Sequence, residues 1–355
     1  MRNFDPDAFR LLLNQGISYK ALFTAINEAL KLSRIKRRAA FDMLMGRLQL
    51  DHLNHALKNV VLEQETDVTL VGMLLEAGAE ATYENGVCVK NAACKLDQTT
   101  LGVLCEYSGH NEPIFTQAFA SLMNAKNDKQ WVAFEHVELV QLLIRYGASG
   151  PVLDKAMLQI VDHLACKETE ADLADILLNI LFSSEADVNY ENGKAVGIAA
   201  SRGDPVILAQ LLSHGATPTT ASLSLSTAIM SGHEEELLLQ LIAAFTNPQS
   251  TPLDVNEAIP GMPPPMLLCM KSYPDSVPLV DSLVAAGCDL ESTMPMEVYA
   301  DEMPRSRGTR SGSNGSIDVE PVTVLMWALL QPDNAISSDV INSLIKHGGK
   351  CPLSL

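Results

Sequence analysis

The chain has 355 residues, 25 Lys plus Arg against 43 Asp plus Glu, and a formal net charge of -18. Such a balance repels phosphate backbones and anionic membranes, so nucleic-acid and membrane-surface roles are excluded as first expectations and a basic protein partner is favoured. Aromatic residues are only 5% of a chain that is 47% hydrophobic, which points to packed helices over a sandwich or barrel.

The first residues, Met1 to Asp7, carry no apolar segment behind a basic one, and no run of 18 apolar residues occurs anywhere. No signal peptide or transmembrane helix is therefore expected. The seven cysteines (Cys88, Cys94, Cys105, Cys166, Cys269, Cys288, Cys351) include no pair at CxxC spacing. A zinc site or disulfide framework is not expected, and the compartment implied is a reducing one, cytoplasm or nucleus.

In chain order, one phrase recurs: an amphipathic helix ending in Leu/Ile, one or two linking residues, then Gly and a small residue. It surrounds Gly16, Gly78, Gly147, Gly215, Gly287 and Gly348, at intervals of 62, 69, 68, 72 and 61. A helix that must stop and reverse needs a positive φ just past its end, which Gly supplies without a Cβ penalty. Each of the first four intervals is two units of about 31 to 36 residues, near the repeat period of about 33. Weaker copies without the glycine turn fill the gaps: FDMLMGRLQL before Asp51, LGVLCEYSGH to His110, ILLNILFSSEADVN to Asn189 and LLLQLIAAFT to Thr246. The last interval holds one unit plus an insertion over 292–319, rich in Ser, Gly, Arg and acids, which is expected to be flexible.

The tetrapeptide Tyr-Glu-Asn-Gly occurs at Tyr83–Gly86 and again at Tyr190–Gly193, 107 residues later, each time after an Ala-acidic step and before a short Ala-rich helix. Asn-Gly is a strong turn signal and suits the tip of a connecting hairpin. The stretch Ile198-Ala199-Ala200-Ser201-Arg202-Gly203-Asp204, continuing to Leu211-Leu212-Ser213-His214-Gly215-Ala216, resembles the ankyrin repeat, and Gly232-His233 repeats its Gly-polar turn. The T-P-L-H opening of that family is missing almost everywhere.

The resemblance implies an all-α ankyrin-repeat solenoid of nine to ten helix pairs with short hairpin loops in one continuous curved stack. Residues 1–291 form the array, 292–319 the insertion and 320–355 the last repeat. Both ends fall inside a unit, so the chain is expected to be a segment of a longer protein.

Candidate chemistry is sparse. His110, His214, His233 and His347 sit at repeated turn positions, so repetition accounts for them. His52 and His55 have the spacing of a metal face but no nearby acid or cysteine completes a set. No phosphate loop, dinucleotide fingerprint, HExxH or nucleophile elbow is present. Glu234-Glu235-Glu236 reads as charge at a helix start. The basic run Lys31 to Arg38 reads as a solvated helix face, with nuclear import or an acidic partner as the alternative. Arg305, Arg307 and Arg310, interleaved with Ser and Thr, are candidates for a phosphorylated loop.

The expectation is a non-enzymatic protein-interaction scaffold with no cofactor and no metal. Its partner is expected along the concave face and hairpin tips, touched by Glu80, Tyr83, Glu84, Asn85, Asp187, Tyr190, Glu191 and Asn192. The alternatives are a sensor or autoinhibitory arm of a larger signalling protein and an all-helical enzyme, the latter needing a pocket of converging titratable groups.

Overall fold

Alternation of apolar stripes with polar or small breaks translates directly into helices in the computed structural model, which describes residues 5–14, 17–124, 131–165, 171–247, 253–257, 263–291, 322–331 and 335–350. Among these the regular elements are all helical, so the described residues form an all-α fold. The insertion over 292–319, Gly16, Cys166 and the last five residues lie outside the described residues. The contacts divide the chain into two compact units: Met1–Ala156 with Asn179–Ala186, and Met157–Leu178 with Asp187–Leu355.

The first unit contains α1 (Pro6–Asn14), α2 (Tyr19–Leu30), α3 (Arg34–Leu44), α4 (Leu50–Leu62), α5 (Val68–Glu76), α6 (Tyr83–Cys94), α7 (Gln98–Ser108), α8 (Glu112–Met123) and α9 (Val137–Arg145). They pair as α2·α3, α4·α5, α6·α7 and α8·α9, while α1 packs on α3 as a second helix without a first. The first helices also stack on one another in the order α2, α4, α6, α8, and among the second helices α5 meets α7 and α7 meets α9. The cause is visible in α4, where Leu53, Leu57, Val60 and Val61 are buried at helical spacing on one face. Each such leucine contributes about 1.5 to 3 kcal/mol by leaving water.

The second unit repeats the scheme with α12 (Tyr190–Arg202), α13 (Pro205–Ser213), α14 (Pro218–Met230), α15 (Glu235–Phe245), α16 (Pro265–Ser272), α17 (Val277–Ala285), α18 (Val324–Leu330) and α19 (Ser338–Lys346). Here α12, α14 and α16 stack, as do α13, α15, α17 and α19, and each pair closes on itself. Two further helices, α10 (Pro151–Leu164) and α11 (Ala171–Phe182), are cut by the division between units.

All ten recurring phrases of the sequence fall on second helices: α1, α3, α5, α7, α9, α11, α13, α15, α17 and α19. Gly78, Gly147, Gly215, Gly287 and Gly348 all have positive φ. At Gly147 the pattern is complete: its N–H donates to Ile144 O at 3.0 Å and the Ala148 N–H to Leu143 O at 2.9 Å, which satisfies carbonyls that the helix end leaves open. The copy that lacks glycine at α11 makes the same turn with Glu185, at φ 61, whose N–H donates to Phe182 O while the Ala186 N–H reaches Leu181 O. Missing glycine there does not mean a missing turn.

Four hydrogen bonds between successive helix pairs share one spacing. His52 meets Tyr19 O, Ser149 N–H donates to Thr116 Oγ1, His233 meets Ala200 O and Asp289 N–H donates to Asn256 Oδ1, every one across 33 residues.

The basic run keeps its expected solvated face at Lys31, Arg34 and Lys36, which are exposed, and turns inward at Arg37 and Arg38. Lys31 pairs with Glu28, Arg34 with Glu65, Arg37 with Glu63 at 2.7 Å and Arg38 with Asp67. Arg37 is buried, and Asp67, also buried, caps α5 by accepting the Leu70 N–H. Burial alone would raise the Asp67 carboxyl. The hydrogen bonds from Arg38 and Leu70 and the charges of Arg38 and Arg37 outweigh it and hold the group below the usual carboxylate range.

Candidate partner-binding face

The two Tyr-Glu-Asn-Gly segments have one conformation. Glu84, Asn85 and Gly86 have φ of 48, 55 and 71°, and Glu191, Asn192 and Gly193 have 50, 58 and 70°. Each is therefore a short left-handed turn that opens a first helix, and not the two-residue hairpin that Asn-Gly suggests. Two consecutive non-glycine residues in this region cost about 1 to 2 kcal/mol each, so their surroundings must hold them. Backbone bonds do so: Gly86 N–H donates to Thr82 O and Gly193 N–H to Asn189 O, both at 3.0 Å.

In the first unit Glu80 is exposed and its N–H donates to Asn54 Oδ1 at 2.7 Å, tying the turn to α4. Tyr83 is half-buried, and Glu84 and Asn85 are exposed. Glu84 is paired with Lys58 of α4, whose hydrogen bond holds the glutamate below its usual range. In the second unit Asp187 accepts from Asn189 N–H at 2.8 Å, Tyr190 is half-buried, and Glu191 pairs with Lys194 at 2.8 Å. Asn192 is exposed. The eight expected residues thus form two separate clusters, one in each unit, with Glu84 and Glu191 each already holding a lysine.

A determinant that spacing arguments passed over is Asn189. Its Oδ1 accepts from Thr217 N–H at 2.8 Å and from the Thr220 hydroxyl at 3.0 Å, and its Nδ2 donates to Gly215 O at 2.9 Å. Asn256, 67 residues on, acts alike: its Oδ1 accepts from Asp289 N–H and its Nδ2 donates to Gly287 O. The signal was Asp-Val-Asn, which occurs at Asp187–Asn189 and at Asp254–Asn256. Each aspartate takes the N–H of its asparagine, at 2.8 and 2.9 Å, and so aims the amide.

The histidines are built into the frame. His52 is buried with Nδ1 at Gln49 N–H and Nε2 at Tyr19 O, while His55 meets Asn27 at 3.1 Å and burial keeps it below its usual range. His347 meets Asp281 at 2.9 Å. Burial pushes the thiols of Cys88, Cys105, Cys269 and Cys288 up to about 12, which leaves them unsuited to nucleophilic work at neutral pH. A cleft of about 400 Å³ opens at the other end of α12, lined by Leu164, Arg202, Pro205, Val206 and Leu237 among others, where Arg202 is paired with Asp162. Among the described residues no group of His, Cys, Asp or Glu is arranged to hold a metal ion, and no helix is long and apolar enough to cross a membrane.

No protein-family model matches the chain, and no curated protein matches it.

Proposed function

We propose that the chain is a scaffold of ankyrin-type repeats, without catalytic activity, that binds a protein partner along its first helices and the turns that precede them. The observation that carries this reading is the pair of identical left-handed turns. Each holds three residues at positive φ and presents an exposed Glu and Asn at the start of a first helix. Repeat units bury their shared faces against neighbours and leave such turns as the variable contact surface. The 33-residue spacing shared by four hydrogen bonds between successive helix pairs supports the ankyrin assignment.

The partner is a protein with a basic segment, because the chain carries a net charge of -18. Quantitative affinity capture from cell lysate tests the surface. A chain carrying Glu80→Lys and Glu191→Lys should lose its specific partner, and one carrying Glu234→Lys and Glu235→Lys at the start of α15 should keep it. Retention by the first and loss by the second would overturn the assignment.

A further inference from the structure

Asp51 stands in the first turn of α4 with an exposed carboxylate whose Oδ2 accepts the Tyr19 hydroxyl at 2.8 Å. Among the described residues no cation pairs with it, and Lys58 on the same helix is held by Glu84. The tyrosine bound to the acid belongs to a cluster of rings. Tyr19, 45% exposed, meets Phe23 edge-on at 5.5 Å and His52 at 4.4 Å, and Phe23 meets His55 at 5.2 Å. The His52 bond to Tyr19 O fixes α2 against α4, so the rings hold their places without a ligand. On α6, the Tyr83 phenol is raised by partial burial, then by Glu84 and also by Asp51, so that acid acts on both tyrosines.

Resting on the scaffold reading above, we propose that this patch of α2, α4 and α6 receives an arginine side chain from the basic segment of the partner. A guanidinium is flat and weakly hydrated, so it stacks on a tyrosine face while its N–H fork reaches a carboxylate. Asp51 supplies that carboxylate with one oxygen still open, and Tyr19 supplies the exposed ring. An ammonium can use the acid but gains less from the ring, so lysine is the poorer ligand. Net negative charge over the whole chain raises the local concentration of a basic segment but does not select a position on it.

The probe is a fluorescent, capped peptide of alternating Arg and Gly, compared with versions carrying Lys or citrulline and titrated into the full chain by anisotropy. The arginine peptide should bind more tightly than the lysine peptide, and the citrulline peptide about tenfold or more weakly, as expected for loss of a charge-assisted bond. Asp51→Asn should weaken the arginine peptide by about tenfold. Tyr19→Leu should weaken it severalfold, and the matched charge change Glu235→Gln on α15 should leave it unaltered. Thermal unfolding of each variant checks that it is folded. In the unmutated chain with isotope-labelled tyrosine, the peptide should shift the ring signals of Tyr19 and Tyr83 and not that of Tyr190. Equal affinity for the Asp51→Asn and unmutated chains, or unmoved Tyr19 signals, would overturn the arginine site while leaving partner capture by the scaffold as a separate result.

Discussion

Thr220 occupies the space that a β-carbon on Gly193 would need: that atom would fall 2.0 Å from the threonine Cγ2 and 2.8 Å from its Oγ1. Gly86 stands in the same relation to Ile114, at 2.3 Å. The left-handed turn and the close approach of the next first helix are one arrangement, used once in each unit. Gly193→Ala should therefore destabilise by about 2 to 4 kcal/mol, combining left-handed strain with overpacking. Urea unfolding measures it. A change below about half a kcal/mol would mean that the turn can relax.

Glu185 takes a positive φ of 61° at an exposed position, so its side chain gains little and its backbone is strained. Replacing it by the glycine used at equivalent turns should stabilise the chain by about 0.5 to 1 kcal/mol, the left-handed cost less the added freedom of glycine when unfolded. A drop in melting temperature for Glu185→Gly would contradict this account of the turn.

Asn189→Ala removes the three hydrogen bonds by which one amide reaches Gly215, Thr217 and Thr220, along with a longer local one to Asp187. At about 1 kcal/mol each the loss should be about 2 to 3 kcal/mol. Hydrogen exchange should speed up at Thr217 in particular, whose N–H would lose its acceptor. Asn256→Ala should act alike on Asp289.

The Asp67 carboxyl, held below its ordinary range in the folded chain, binds protons less readily there than when unfolded. Its contribution is therefore complete above the unfolded carboxylate range near pH 4 and is lost as pH falls from there through the lowered folded value. Asp67→Asn should flatten that part of the stability profile on the acid side. A profile identical to that of the unmutated chain would show that the Arg38 clamp is unimportant.

Much of the helical plan was legible, for a definite reason. Second helices end in a leucine pair and a small-residue turn, and both leave a residue-type signature, so all ten phrases fell on second helices. Turns that depend on backbone geometry alone were not legible. Glu185 makes the glycine turn without glycine, and Asn85-Gly86 forms a left-handed opening in place of a hairpin. Charge patterning gave the solvated side of Lys31 to Arg38 but not the pairing of Arg34, Arg37 and Arg38, because their acidic partners Glu65, Glu63 and Asp67 lie about 30 residues away in sequence and meet them only after α3 packs. The Tyr19 and Asp51 pair was hidden likewise, 32 residues apart with no motif to join them. By contrast, Asp-Val-Asn was readable in principle, since the tripeptide occurs twice.

The central claim is that a partner occupies the first helices and the turns before them. Hydrogen–deuterium exchange of the full chain with and without a captured partner tests it most directly. The account predicts slowed exchange from Ala79 to Gly86, from Asp187 to Gly193 and along the starts of α4, α6 and α12. Slowed exchange confined to second helices such as α13 and α15, with these turns unchanged, would contradict it.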